Sequence, residues 1–70
     1  MINYQSKSVL TFLMVNQDYP YTALYMSGLI AMTKEDIEKE CRTLLESGEI
    51  IVAMRVKEKG KEVNKYQYKR

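Results

Sequence analysis

For chemistry the chain offers eleven Lys and Arg, nine Asp and Glu, one Cys and no His. Catalysis needs more than that. Without His, without a Gly-rich phosphate loop, and with acids scattered over what reads as a helix surface, no nucleophile and base can be paired, so no enzymatic activity is expected. One Cys cannot form an internal disulfide, and with no His it cannot complete a zinc site of four N or S ligands, so neither metal nor cofactor is expected. What remains is charge, and its distribution says more than the net +2. Residues 1–54 hold four bases (Lys7, Lys34, Lys39, Arg42) against seven acids, whereas residues 55–70 hold seven bases (Arg55, Lys57, Lys59, Lys61, Lys65, Lys69, Arg70) against Glu58 and Glu62. A cationic end of this kind suits a polyanion partner; a solvated lysine-rich surface is the plainer alternative.

Seventy residues, 46% of them apolar and 29% charged, make one folded domain with one small core. Such a core rarely supplies more than about 3–5 kcal/mol, so the fold must rest on tight packing or on a partner subunit. The longest apolar run, Val9 to Val15 interrupted by Thr11, falls far short of the roughly 20 residues of a membrane span. No membrane partner is expected. With no export signal and one free thiol, the expected setting is cytoplasmic.

Hydrophobic periodicity predicts helices at about 7–17, 22–31 and 33–47, then a hairpin at about 49–69. Ser6 or Ser8 can cap the first helix, which carries Val9, Leu10, Phe12, Leu13, Met14 and Val15 and is apolar almost all round; Tyr19-Pro20 ends it. Such a helix is either covered within one chain, with help from Ile2 and Tyr4, or meets a second copy through Leu10 and Met14 to form a homodimer. Thr22 caps the second helix, where Ala23, Met26 and Ile30 share a face. Thr33 caps the third, with Asp36 completing an approximate capping box, and Ile37, Cys41, Leu44 and Leu45 form its inward stripe until Gly48 stops it. Ile50, Val52, Met54 and Val56 then alternate with Ile51, Ala53, Arg55 and Lys57, while Tyr66 and Tyr68 share one side of the second strand. Between the strands Glu58-Lys59-Gly60-Lys61 reads as the turn, Gly60 supplying a positive φ. The expected class is α+β, three helices followed by a two-stranded β-hairpin.

That order resembles the winged helix-turn-helix family of DNA-binding domains, in particular small single-domain transcriptional regulators, over most of the chain. Members commonly show T-x-x-E-L-A-x-x-L-G-I-S-x-x-T-V-x-x-x-L-x-x-L-x-x-x-G-L-I. In the same register this chain has Thr22, Met26, Ser27, Ile30, Ala31, Met32, Thr33, Ile37, Cys41, Leu44, Gly48 and Ile50. Tyr25 stands where the family has an acid, and Ala31 where it has the turn Gly. The resemblance implies a regulator that binds double-stranded DNA sequence-specifically, its third helix in the major groove and its hairpin, the wing, on flanking backbone or minor groove. The same fold can instead serve as a protein-interaction module, using the third or the first helix.

The residues that would carry DNA binding can be named. Opposite Ile37 the third helix presents Glu35, Lys39, Arg42 and Glu46, flanked by Glu38 and Thr43, with Thr33 and Lys34 at its start. Lys39 and Arg42 can meet phosphate or guanine, and Glu35 or Glu38 can accept from cytosine. Glu35–Lys39 and Glu38–Arg42 are also favourable i,i+4 pairs, so a salt-bridged solvent face is the alternative. On the hairpin Arg55, Lys57, Lys59, Lys61 and Lys65 can neutralise phosphates, and Gly60 allows close approach. Lysines on a hairpin edge also prevent edge-to-edge pairing. Tyr25 faces outward, where its hydroxyl can donate to phosphate or join a protein interface. Tyr66 and Tyr68 are expected at the core margin, and Cys41 as a buried, inert thiol.

Overall fold

A computed structural model describes residues 4–69, with side chains from Val9 onward. The chain is α+β: α1 (Tyr4–Val15), β1 (Tyr21–Thr22), α2 (Ala23–Ser27), α3 (Lys34–Ser47), β2 (Ile50–Glu58) and β3 (Lys61–Tyr68). The strands form one antiparallel sheet in the order β1-β3-β2, so the expected two-stranded hairpin has a third member. Tyr21 pairs with Tyr66 and Thr22 with Lys65. Pro20 holds the preceding residue extended, and the backbone groups just beyond it find partners on the flank of β3.

The helices differ from expectation mainly at their ends. α1 begins at Tyr4, so Ser6 and Ser8 lie inside it rather than at its cap; no Gly or Pro in residues 1–8 breaks the helix earlier. Ile2 and the Tyr4 side chain lie outside the described residues. At the other end the Asn16 side-chain amide donates to Phe12 O at 2.8 Å and that of Gln17 to Met14 O at 3.1 Å. These bonds satisfy terminal carbonyls and end the helix at Val15 rather than 17.

Thr22 caps α2 as expected, its hydroxyl accepting from Tyr25 N at 3.1 Å. The helix then lasts only five residues instead of reaching 31. Ser27 Oγ donates back to Leu24 O at 2.6 Å, Gly28 follows, and both favour leaving the helix. Ile30 therefore packs on the core from a turn and not from a helical face. α3 is framed at both ends. Thr33 Oγ1 accepts from Asp36 N at 3.1 Å, while Gly48, at φ 81°, lets Glu49 N reach Leu44 O and Gly48 N reach Leu45 O, a Schellman arrangement.

Val9 and Leu13 of α1, Met26 of α2, Ile37 and Cys41 of α3 and Ile50 of β2 are fully buried, joined by Ala23, Met32, Leu44 and Tyr66. Tyr68 packs at the margin, as expected. The anticipated β2 stripe does not hold. Ile50 alone of Ile50, Val52, Met54 and Val56 is buried; Met54 and Val56 leave its side because Val52 pairs with Tyr66 while Met54 pairs with Lys65, making Ala53 a β-bulge. Facing residues in an antiparallel pair project to the same side, so beyond Ala53 the alternation inverts. Arg55 and Lys57 continue the side of Ile50, Val52, Tyr66 and Tyr68; Met54, Val56 and Glu58 take the other.

Cys41 is wholly enclosed. Burial, with the Glu38 and Glu40 carboxylates adding to it, pushes its thiol up to about 12, against about 8.5 for an unfolded Cys. The folded state therefore holds this proton more tightly, so its contribution to stability is complete below about pH 8.5 and is lost as pH rises from there towards 12. Cys41→Ala should be less stable at neutral pH through its cavity, with a deficit that shrinks by roughly 1 kcal/mol per pH unit above pH 9. Urea midpoints for both proteins across this range give the result; a deficit independent of pH would show that the thiol ionises freely in the fold. Native protein should also resist alkylation until it unfolds.

Candidate nucleic-acid interface

α3 is held by its inward stripe, so its opposite side is open. Glu35, Asp36, Glu38, Lys39 and Arg42 line a shallow depression of about 290 Å3 on that side. The expected i,i+4 pairs do not close: among the described residues neither Lys39 nor Arg42 is ion-paired, and the salt bridge that forms is Arg55–Glu62 at 3.7 Å. Both of those side chains are well exposed, so that pair adds little stability. Lys39 and Arg42 can turn to another partner.

Glu38 also borders a narrower cleft of about 150 Å3 between α3 and the hairpin, lined further by Lys34, Arg55, Glu58, Glu62 and Asn64. The bulge at Ala53 brings Arg55 there by turning it to the α3 side. Asn64 sits between the two elements and donates to the Tyr66 hydroxyl at 3.5 Å; burial pushes that hydroxyl up, and the Asn64 bond opposes the shift. Sequence patterning alone does not single out Asn64, although it shares the side of Tyr66 and Tyr68 by simple alternation. Lys57 stands opposite Glu62 on the same side, and Lys61 opposite Glu58 on the other. Thr33 is exposed but committed to its cap.

The hairpin tip is a two-residue turn with Lys59 at φ 51° and Gly60 at φ 80°. Positive φ at both positions defines a type I′ turn, whose twist matches that of the strands. Tyr25 and Lys65 lie elsewhere. They line a separate groove with Tyr19, Tyr21 and Val56, so two of the expected DNA contacts are not gathered with α3 and the tip. The aromatic residues flanking Pro20 are the sequence signal for that groove.

Charge on α3 is unfavourable to a polyanion, since residues 34–46 hold five acids against three bases. Glu35 and Asp36 in the first turn also offset the positive end of the helix dipole. The cations at Arg55, Lys57, Lys59 and Lys61 supply the opposite field.

A lysine at φ 51° costs about 1–2 kcal/mol relative to a residue tolerant of that region. Lys59→Asn, giving the preferred Asn-Gly pair, should raise stability by about 0.5–1 kcal/mol. Equal or lower stability in urea denaturation would show that the turn relaxes around Lys59 without strain.

No helix among the described residues is long and apolar enough to cross a membrane. No protein-family model, no curated protein and no solved structure matches the chain.

Proposed function

We propose that this protein is a small winged-helix regulator that binds double-stranded DNA sequence-specifically, with α3 in the major groove and the basic hairpin on flanking backbone. The observation that carries the reading is the pairing of an open α3 face, where Lys39 and Arg42 make no ion pair with the described residues, with a hairpin whose bulge turns Arg55 and Lys57 to the same side. Nonspecific affinity comes from the hairpin cations, and selectivity from Lys39, Arg42 and the acids between them. Lys59 and Lys61 each neutralise a phosphate in this reading. Replacing both with Ala should weaken binding to all duplexes alike and make the slope of log K against log salt shallower by about 0.9 for each phosphate no longer neutralised. Arg42→Ala should cost about 1–3 kcal/mol, confined to the preferred site. Absence of duplex binding even at low salt would refute the reading in favour of a protein-interaction module, which the acid excess of α3 supports.

The DNA-binding unit is a homodimer in this proposal. Met14 and Val15, 43% and 77% exposed, extend an apolar strip from half-buried Leu10 along α1, and covering it would offset the small core of a 70-residue chain. Two-fold pairing would place half-sites about one helical turn apart. In sedimentation equilibrium the protein should run as a dimer that Met14→Glu dissociates. A monomer unaffected by that substitution would leave α1 as an ordinary exposed surface.

A further inference from the structure

Acids outnumber bases on α3, and most of them only weaken its attraction for a duplex. One of them is placed differently. Glu38 lines both the shallow depression on the open side of α3 and the cleft between α3 and the hairpin. It is half-buried, whereas Glu35, Asp36 and Glu46 are exposed, and half-buried Glu40 lines neither hollow. A side chain held between two walls loses less freedom on meeting a ligand than an exposed one does.

Cations surround Glu38, yet none of them takes it. Lys34 and Arg42 stand one turn before and one turn after it along α3, and Arg55 shares its cleft. Among the described residues Glu38 nevertheless forms no ion pair. Flanking positive charge offsets its repulsion of phosphate, so this carboxylate approaches a duplex at less cost than an isolated acid would.

A carboxylate only accepts hydrogen bonds. In the major groove guanine shows it two acceptors, and thymine an acceptor and a methyl group; adenine sets its N6 donor beside the N7 acceptor, while cytosine presents the N4 donor alone. Arg42 has the opposite requirement and suits guanine. Four helical residues rise about 6 Å and bases along a strand are about 3.4 Å apart, so the two side chains reach bases about two steps apart. We propose that Glu38 selects a cytosine about two base steps from a guanine met by Arg42, acting as a specificity-determining residue that adds discrimination rather than affinity. The inference rests on the duplex-binding reading above and names the kind of site it takes.

Selection from a randomised duplex pool, followed by anisotropy titrations of single-base variants of the selected duplex, tests it. The protein should fix one cytosine, and replacing that base should weaken binding about tenfold. Glu38→Gln keeps the shape of the side chain but pairs with adenine, so this variant should change the selected base from cytosine to adenine at that position alone, leaving the other positions and the salt slope as they were. Glu38→Ala should leave the position degenerate, and Glu35→Gln should leave it cytosine. Specific binding to duplexes without a fixed cytosine, or a Glu38→Gln variant that still selects cytosine there, would overturn the proposal alone. Failure of every variant to bind any duplex would overturn it together with the reading on which it rests.

Discussion

Facing residues in an antiparallel pair share a side of the sheet, so one extra residue in one strand exchanges the sides of everything beyond it. Ala53 is that residue. Up to Val52 the side facing the helices carries Ile50 and Val52 opposite Tyr68 and Tyr66; past the bulge the same side carries Arg55 and Lys57 opposite Asn64 and Glu62. The apolar core therefore ends and the charged surface begins within one strand, at the level of the N-terminal half of α3. The displaced apolar residues do not vanish. Val56, with Glu58, goes to the far side and becomes a wall of the groove lined by Tyr19, Tyr21 and Tyr25. The candidate interface and that groove both depend on this one irregularity in the ladder.

It also marks the boundary of what the sequence made legible. Thr22, Thr33, Gly48 and Gly60 could be placed in advance because caps and turns are closed by partners within a few residues along the chain. α1 and α2 kept their identity but not their ends, which were set by Asn16 folding back on Phe12 and by Ser27 folding back on Leu24. β1 was invisible for a different reason. Two residues carry no periodicity, and their pairing with Tyr66 and Lys65 joins distant parts of the chain. The bulge left no local mark either, since Val-Ala-Met reads as unbroken alternation. Consequently the residue types of the candidate interface were readable, whereas the side on which each would stand was not; Lys65 and Tyr25 fell away from the group, and Asn64 entered it.

Electrostatics divides the labour between the two elements. α3 holds more acid than base and offers a polyanion little long-range attraction, so any affinity it contributes must come from specific contacts by Lys39 and Arg42 at short range. The hairpin carries the opposite balance and can attract without discriminating. The Arg55–Glu62 pair moderates that field, though at this exposure it is weak enough to give way to a stronger partner.

Edge protection is the rival account of the hairpin cations, and it explains part of them. β2 is the outer strand of the sheet, with Ile51, Val52 and Met54 substantially exposed; a bulge, Arg55 and Lys57 are devices that stop such an edge from pairing with another. Lys59 is not covered by that account. It lies in the turn, off the ladder, where a lysine adopts φ 51° and where Asn or Gly would fit without strain. A cation at a strained tip guards no edge, but it stands at the point of the hairpin best able to reach a phosphate. Strain of this kind is an argument for function only when the fold itself does not require the residue, and at position 59 the fold requires only a positive φ.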